Sequence, residues 1–286
     1  MRLEDESEST NVEDRRGAGP AVGFGRRKLG LWAIVIALVA AYFGIDPRLI
    51  LGFLSVGGQV VEQQASPATP APAGPKDEAS IFVAKVLGNT ERVWEQIFDE
   101  LGARYSEPAL VLYSGSTPSA CGLGQGAMGP FYCPLDQKVY VDLRFFDELH
   151  RRYGAPGDFA RAYVLAHEVG HHVQKLLGIS DKVQSLQQRS GEAQANKLSV
   201  RLELQADCLA GVWANRAQEL RNILEPGDIE EGLRAAAAVG DDTLQRRTQG
   251  YVVPDAFTHG SSADRANWFR RGLKEGRLQA CDTFGG

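Results

Sequence analysis

Two histidines and one glutamate are spaced as in a hydrolytic metal site. His167 and His171 are four residues apart, and Glu168 directly follows the first of them. The apolar pattern of residues 163–177 predicts an amphipathic helix, in which residues four apart lie on one face. Two neutral imidazoles on that face can bind one zinc ion. Glu168, about 100° round the helix, can take a proton from a zinc-bound water without being a ligand.

A second predicted helix, around residues 201–210, carries two acids that could complete the site. Glu203 and Asp207 are again four residues apart and share a face. A catalytic zinc site has three protein ligands and one open position, so we predict Glu203 as the third ligand of one zinc ion per chain. We predict that Asp207 accepts the free N–H of a ligand histidine and fixes its tautomer. The alternative, two solvated charges, is disfavoured because this helix is otherwise apolar.

These motifs resemble those of the gluzincin metallopeptidases. More widely, the sequence resembles the bacterial neutral zinc metallopeptidases that are anchored by a single membrane span. The matching stretches cover nearly the whole chain except the linker, and are residues 11–17, 44–47, 129–134, 139–142, 166–174, 203–213 and 258–262. With the predicted elements, the resemblance implies an α+β fold, in which a mostly helical zincin-like domain contains a small antiparallel sheet.

The first part of the chain contains a candidate membrane anchor. Residues 29–45 include no charged side chain, and their length is at the short end of a membrane span. Trp32 and Tyr42 lie near the two ends, where amphipathic aromatics favour the interface. We therefore predict a transmembrane helix at residues 29–45 that contacts the lipid bilayer. A cleaved signal peptide is the alternative, but no small-residue cleavage site follows directly.

The charge pattern sets the predicted orientation of this span. Basic residues 26–28 immediately precede it, which predicts a cytoplasmic N-terminus. Residues 1–28 are polar and charged, so we predict a disordered cytoplasmic tail. The remaining chain would then be periplasmic or extracellular, on a single-pass protein of the bacterial inner membrane.

Three further segments follow the predicted span. Residues 46–61 form a weaker apolar run broken by glycines, which predicts an interfacial or stalk segment. Residues 62–77 are rich in proline and alanine and predict an extended linker. Residues 78–286 have the apolar content of a folded domain and carry all the motifs, so we assign them to the metallopeptidase domain. The net charge of −5 gives no support for nucleic-acid binding, which requires a basic face.

Two further features could contribute to catalysis. Residues 131–133 and 138–143 predict a β-hairpin; by resemblance to zincins its edge could bind an extended substrate, although ordinary sheet packing explains it equally well. Zincins often place a late histidine so that it donates to the developing oxyanion. His259 is therefore a candidate catalytic residue, with Arg265 a weaker candidate and a structural role for His259 as the alternative.

The chain contains four cysteines, Cys121, Cys133, Cys208 and Cys281. None forms a Cys-x-x-Cys pair, and the predicted location is oxidising, so an even count favours disulfides over free thiols. Of the three possible connectivities we favour Cys121–Cys133 across a glycine-rich loop and Cys208–Cys281 between the second metal-bearing helix and the C-terminal region.

The combined reading is a membrane-tethered zinc endopeptidase that acts on protein or peptide substrates. One alternative is a zinc amide hydrolase on other substrates, such as a deformylase with Cys133 as the third ligand. The other is a non-catalytic, membrane-anchored binding protein in which zinc is structural. The position of Glu168 argues against this last alternative, because a structural site needs no base.

Overall fold

The computed structural model describes residues 1–17 and 76–285. The predicted span at 29–45, the segment 46–61 and the linker up to residue 75 lie outside this part. No helix within the two described ranges is long and apolar enough to cross a membrane.

The described chain is mostly helical, with six strands, which agrees with the α+β prediction. The strands are β1 (Val12–Asp14), β2 (Ala109–Tyr113), β3 (Ser116–Ser119), β4 (Gly122–Gln125), β5 (Phe131–Cys133) and β6 (Lys138–Asp142). The helices are α1 (Glu78–Glu100), α2 (Arg144–Arg151), α3 (Asp158–Leu176), α4 (Ile179–Gln187), α5 (Glu192–Arg221), α6 (Asp228–Ala238), α7 (Asp241–Gln249) and α8 (Ser262–Glu275).

The helical core brings α3, α5 and α8 together. Glycines permit these helices to approach closely, because added β-carbons would clash with the neighbouring backbone. A β-carbon on Gly170 of α3 would lie 3.0 Å from the carbonyl oxygen of Ala206 on α5. A β-carbon on Gly272 of α8 would lie 1.9 Å from the carbonyl oxygen of Cys208. Both contacts lie one turn or less from a predicted site residue, so the close packing fixes the site.

The main sheet is mixed, with the strand order β1-β2-β6-β5. Strands β1, β2 and β6 run parallel, and only β5 is antiparallel to its neighbour β6. The prediction of a small antiparallel sheet is therefore wrong for the main sheet, although the predicted hairpin of β5 and β6 is present. The separate β3–β4 pair is antiparallel. Alternation and turn residues indicate strands, but the direction of β2 relative to β6 depends on the long connection between them.

The first seventeen residues pack on the domain rather than forming a separate tail. Strand β1 pairs with β2, with Val12 opposite Leu110 and Asp14 opposite Leu112. Leu3 is only 8% exposed and belongs to the main hydrophobic core. The prediction of a disordered tail is therefore wrong for residues 1–17. The polar composition of this segment did not indicate a strand. Strand pairing is made by backbone hydrogen bonds, which polar side chains do not prevent.

Two disulfides are present, and both have the favoured connectivity. Cys121 is bonded to Cys133, which ties the β3–β4 hairpin to the end of β5. Cys208 is bonded to Cys281, which ties helix α5 to the C-terminal segment. The second bridge lies next to Asp207 in the chain and closes a loop of 73 residues, a length at which cross-linking strongly restricts the unfolded chain.

Candidate metal centre

Three predicted ligands converge at the interface of α3 and α5. The ligand atoms of His167, His171 and Glu203 all lie within 4.8 Å of one another. The Nε2 atom of His167 is 3.2 Å from Oε2 of Glu203, and Nε2 of His171 is 3.4 Å from Oε1. Tetrahedral zinc with bonds of about 2.0–2.2 Å places neighbouring ligand atoms roughly 3.3–3.6 Å apart. The donor set and its spacing therefore fit zinc.

The local charge also favours a cation at this point. Burial lowers the pKa of His167, but Asp207 and Glu203 raise it to a greater extent, to about 10. Burial raises the pKa of Glu203, but the two histidines lower it well below its usual range. Both effects arise because the carboxylates and the imidazoles are buried next to one another. The same field stabilises a divalent cation between the three ligands.

Asp207 holds His167 from behind, in a hydrogen-bonded cluster that is buried in the core. The Nδ1 atom of His167 donates to Oδ1 of Asp207 at 2.9 Å, which leaves Nε2 facing Glu203. The Tyr163 hydroxyl also donates to Oδ1. Arg265 of α8 donates to both carboxylate oxygens, from Nε at 2.8 Å and from Nη2 at 2.9 Å. Asp207 is therefore placed to fix the tautomer of His167, and Arg265 balances its charge.

The second histidine ligand has its own partner on the same helix. Nδ1 of His171 donates to Oε1 of Gln174 at 2.9 Å, so Nε2 again faces Glu203. The amide nitrogen of Gln174 donates to the carbonyl oxygen of Leu202 at 2.7 Å, one residue before the third ligand. Gln174 thus couples the orientation of His171 to the helix that carries Glu203.

His172, which directly follows the second candidate ligand, has a structural role. It is fully buried, and its Nε2 donates to the carbonyl oxygen of Ser106 at 2.6 Å. Its Nδ1 accepts from the hydroxyl of Tyr132 in β5 at 3.0 Å. Burial lowers the pKa of His172, which agrees with a neutral ring that donates once and accepts once. This contact fixes strand β5 beside helix α3.

Glu168 faces a cleft beside the three ligands. The cleft has a volume of about 440 Å³, and its lining includes His167, Glu168, His171 and Glu203. The Glu168 carboxylate makes no hydrogen bond or ion pair within the described residues. A carboxylate that makes no hydrogen bond or ion pair can change its orientation. It can therefore take a proton from one group and deliver it to another, as a general base must.

His259 and Arg265, the two candidate oxyanion donors, also line this cleft. His259 is about half exposed, and its Nδ1 lies 3.1 Å from Oδ1 of Asp241. The other oxygen of Asp241 accepts the backbone N–H groups of residues 258–260. The hydrogen bond to Asp241 raises the pKa of His259. The guanidinium of Arg265 is buried and donates to both oxygens of Asp207, which favours a role in supporting His167 over a role as an oxyanion donor.

Sequence reasoning missed three side chains that support the site. Tyr163 precedes His167 by four residues and Gln174 follows His171 by three, so helical spacing alone could have indicated both. Asp241 could not be found this way, because its contact with His259 joins distant segments and no local pattern specifies it.

The fold and the site together define the class: a mostly helical α+β domain with a three-ligand metal site of gluzincin spacing. The chain belongs to the family described as "putative neutral zinc metallopeptidase", whose profile matches residues 1–284. It is 50% identical to the uncharacterized protein YpfJ of Escherichia coli K12 over 292 aligned positions, covering 100% of this chain and 99% of that protein. It is 42% identical to the uncharacterized protein Rv2575 of Mycobacterium tuberculosis over 217 positions, 72% of each chain. No solved structure matches the chain.

Proposed function

We propose that this protein is a zinc-dependent endopeptidase that hydrolyses peptide bonds of extracytoplasmic proteins or peptides. The observation that carries the proposal is the convergence of His167, His171 and Glu203 beside the unpartnered Glu168 at an open cleft. When bound, zinc supplies a Lewis acid that polarises the scissile carbonyl and lowers the pKa of its water.

The residues of the chain would carry the remaining steps. Glu168 takes the proton of the attacking water and then delivers it to the leaving amine. Asp207 keeps His167 in the tautomer whose Nε2 faces the metal position. His259 donates a hydrogen bond to the oxyanion of the carbonyl under attack, and Asp241 orients it for that purpose.

Strand β5 is the proposed binding edge for the substrate backbone. It is the last strand in the sheet order, and residues 129–132 line the cleft. An extended peptide could add to this edge by backbone hydrogen bonding.

The cleft also presents large apolar side chains, including Phe145, Val164 and Leu244, which favours substrates with a bulky apolar residue next to the scissile bond.

The structure disfavours the deformylase alternative, because Cys133 is bonded to Cys121 and cannot offer a thiolate to the metal. The binding-protein alternative leaves unexplained why an unpartnered carboxylate, Glu168, faces the cleft beside the ligands. We therefore retain the peptidase as the proposed function.

We further propose that the domain works outside the cytoplasm, at a membrane that residues 29–45 contact. Two disulfides favour an oxidising compartment. The uncharged stretch at residues 29–45 favours contact with a lipid bilayer.

Metal content and proteolysis of the purified full chain test the proposed function. We expect one zinc per wild-type chain, casein cleavage that a chelator abolishes, and recovery on zinc addition. We expect Glu203→Ala to lose both zinc and cleavage, because one of three ligands is removed. Glu192→Ala is the matched control, since Glu192 is an exposed residue of the same helix. A folded wild-type chain that binds no zinc would refute the metal site.

The role of His259 predicts a shift in the pH dependence of cleavage. The carboxylate of Asp241 is the main cause of the raised pKa of His259, so Asp241→Asn should lower this pKa. Protonated His259 is present below its pKa and is lost as the pH rises. The pH at which kcat/KM falls on the alkaline side should therefore move to a lower value, measured with a fluorogenic peptide.

Asp242→Asn is the control for this shift. Asp242 accepts from the backbone N–H and hydroxyl of Ser262, both at 2.7 Å, and makes no contact with His259. An alkaline limb that stays in place in Asp241→Asn would remove His259 from the mechanism.

A further inference from the structure

The N-terminal segment, residues 1–17, is attached to the domain along its whole length. The backbone N–H of Arg2 donates to the carbonyl oxygen of Ile223 at 2.8 Å, and that of Ser9 donates to Ala84 at 2.9 Å. The ammonium group of Lys85 donates to the carbonyl oxygen of Leu3 at 2.7 Å. These contacts reach helix α1 and the chain that follows α5, so the segment contacts well-separated parts of the domain.

A glycine in α1 is required for this contact. A β-carbon on Gly88 would lie 2.6 Å from the carbonyl oxygen of Ser7 and 3.1 Å from the backbone nitrogen of Ser9. Glycine is unfavourable in the interior of a helix. Its presence where residues 7–9 lie against α1 indicates that this sequence is adapted to the packed N-terminal segment.

Strand β1 then joins the sheet, and an ion pair connects the two ends of the intervening chain. The backbone N–H of Leu110 donates to the carbonyl oxygen of Asn11 at 2.8 Å, and the backbone N–H of Arg15 donates to the carbonyl oxygen of Leu112 at 2.7 Å. Nη1 of Arg16 lies 2.6 Å from Oδ2 of Asp77, and Asp77 also caps the start of α1. The point where the chain leaves the domain therefore lies close to the point where it returns.

We infer that residues 1–17 lie on the same side of the membrane as residues 76–285, which excludes the predicted arrangement of a cytoplasmic N-terminus with an extracytoplasmic domain. A single crossing would separate β1 from β2 by a hydrocarbon layer of about 30 Å, which backbone hydrogen bonds cannot bridge. The single-pass topology with a cytoplasmic N-terminus is therefore incompatible with the sheet. The inference concerns topology alone and stands whether or not the domain is a peptidase.

Compartment labelling of the full chain tests the inference. Asp5 and Lys182 are exposed, so Asp5→Cys and Lys182→Cys each introduce one accessible thiol, in variants that retain the wild-type thermal midpoint. A membrane-impermeant maleimide is applied to spheroplasts, and labelling after detergent lysis serves as the reference. We expect equal labelling of the two variants relative to lysis. Labelling of one thiol in spheroplasts and of the other only after lysis would overturn the inference.

The two possible equal results separate this inference from the proposed location of the domain. Labelling of both thiols before lysis supports the inference and an extracytoplasmic domain. Protection of both until lysis also supports the inference but contradicts the proposed location.

A second measurement tests the packing on which the inference rests. Gly88→Val should displace residues 7–14, so their amide hydrogen exchange should lose the protection seen in the wild type. The thermal midpoint should fall by roughly 5 °C or more. Glu95→Val introduces the same residue at an exposed position of the same helix and should change neither quantity. Unchanged protection in Gly88→Val, or absence of protection in the wild type, would refute the packing.

Discussion

Glu168→Gln should abolish casein cleavage while leaving one zinc ion bound per chain. The substitution keeps the size of the side chain and removes its ability to accept a proton. Glu168 makes no hydrogen bond within the described residues, so its replacement breaks no interaction that supports the fold. General base catalysis contributes about 10²–10⁴-fold, and we expect kcat/KM to fall by that factor. Zinc content and thermal midpoint should stay at wild-type values.

A control variant and the residual activity of Glu168→Gln test this prediction. Glu192→Gln, at an exposed position on α5, makes the same chemical change away from the cleft and should cleave casein at the wild-type rate. Activity of Glu168→Gln above one tenth of wild type would mean that another group takes the proton. If the wild type and Glu168→Gln both bound zinc and neither cleaved casein, the binding-protein alternative would be favoured.

The sequence predicted this group of candidate metal ligands because their spacing is local. His167 and His171 share one helix face, and Glu203 and Asp207 share another, so helical geometry alone places each pair. Local spacing does not show that these two helices pack against each other. Gly170, inside the histidine motif, permits that approach at the contact with Ala206, and an isolated glycine in a helical pattern is a readable signal for it.

The sequence could not predict what lies behind the ligands or how the sheet is ordered. Arg265 reaches Asp207 only because α8 packs against α5, and no local pattern specifies that contact. Strand β1 has three residues, two of them acidic, so it lacks the apolar alternation of a half-buried strand. Its place in the sheet depends on pairing with β2, almost a hundred residues later. That pairing overturned the disordered tail for residues 1–17, and it is the observation on which the inference about topology rests.

The buried pair of Asp207 and Arg265 predicts separate effects on stability and on zinc affinity. Arg265→Met would remove the guanidinium that donates to both oxygens of the buried Asp207 carboxylate. Breaking a buried pair in this way costs about 3–5 kcal/mol, and we expect that loss in the free energy of unfolding of the zinc-free protein, measured by urea denaturation. Arg216→Met is the control, because its partner Glu100 is exposed and a surface pair contributes about 0–1 kcal/mol.

The double variant Asp207→Leu with Arg265→Met separates the two effects. Neither charge is then buried alone, so most of the lost stability should return. His167 nevertheless lacks the acceptor for its Nδ1–H, and loss of such a partner weakens metal binding by about 10–100-fold. We therefore expect near-wild-type stability without zinc, together with weakened zinc affinity in a competition titration. Wild-type zinc affinity in the double variant would show that Asp207 serves the packing of the core and not the orientation of His167.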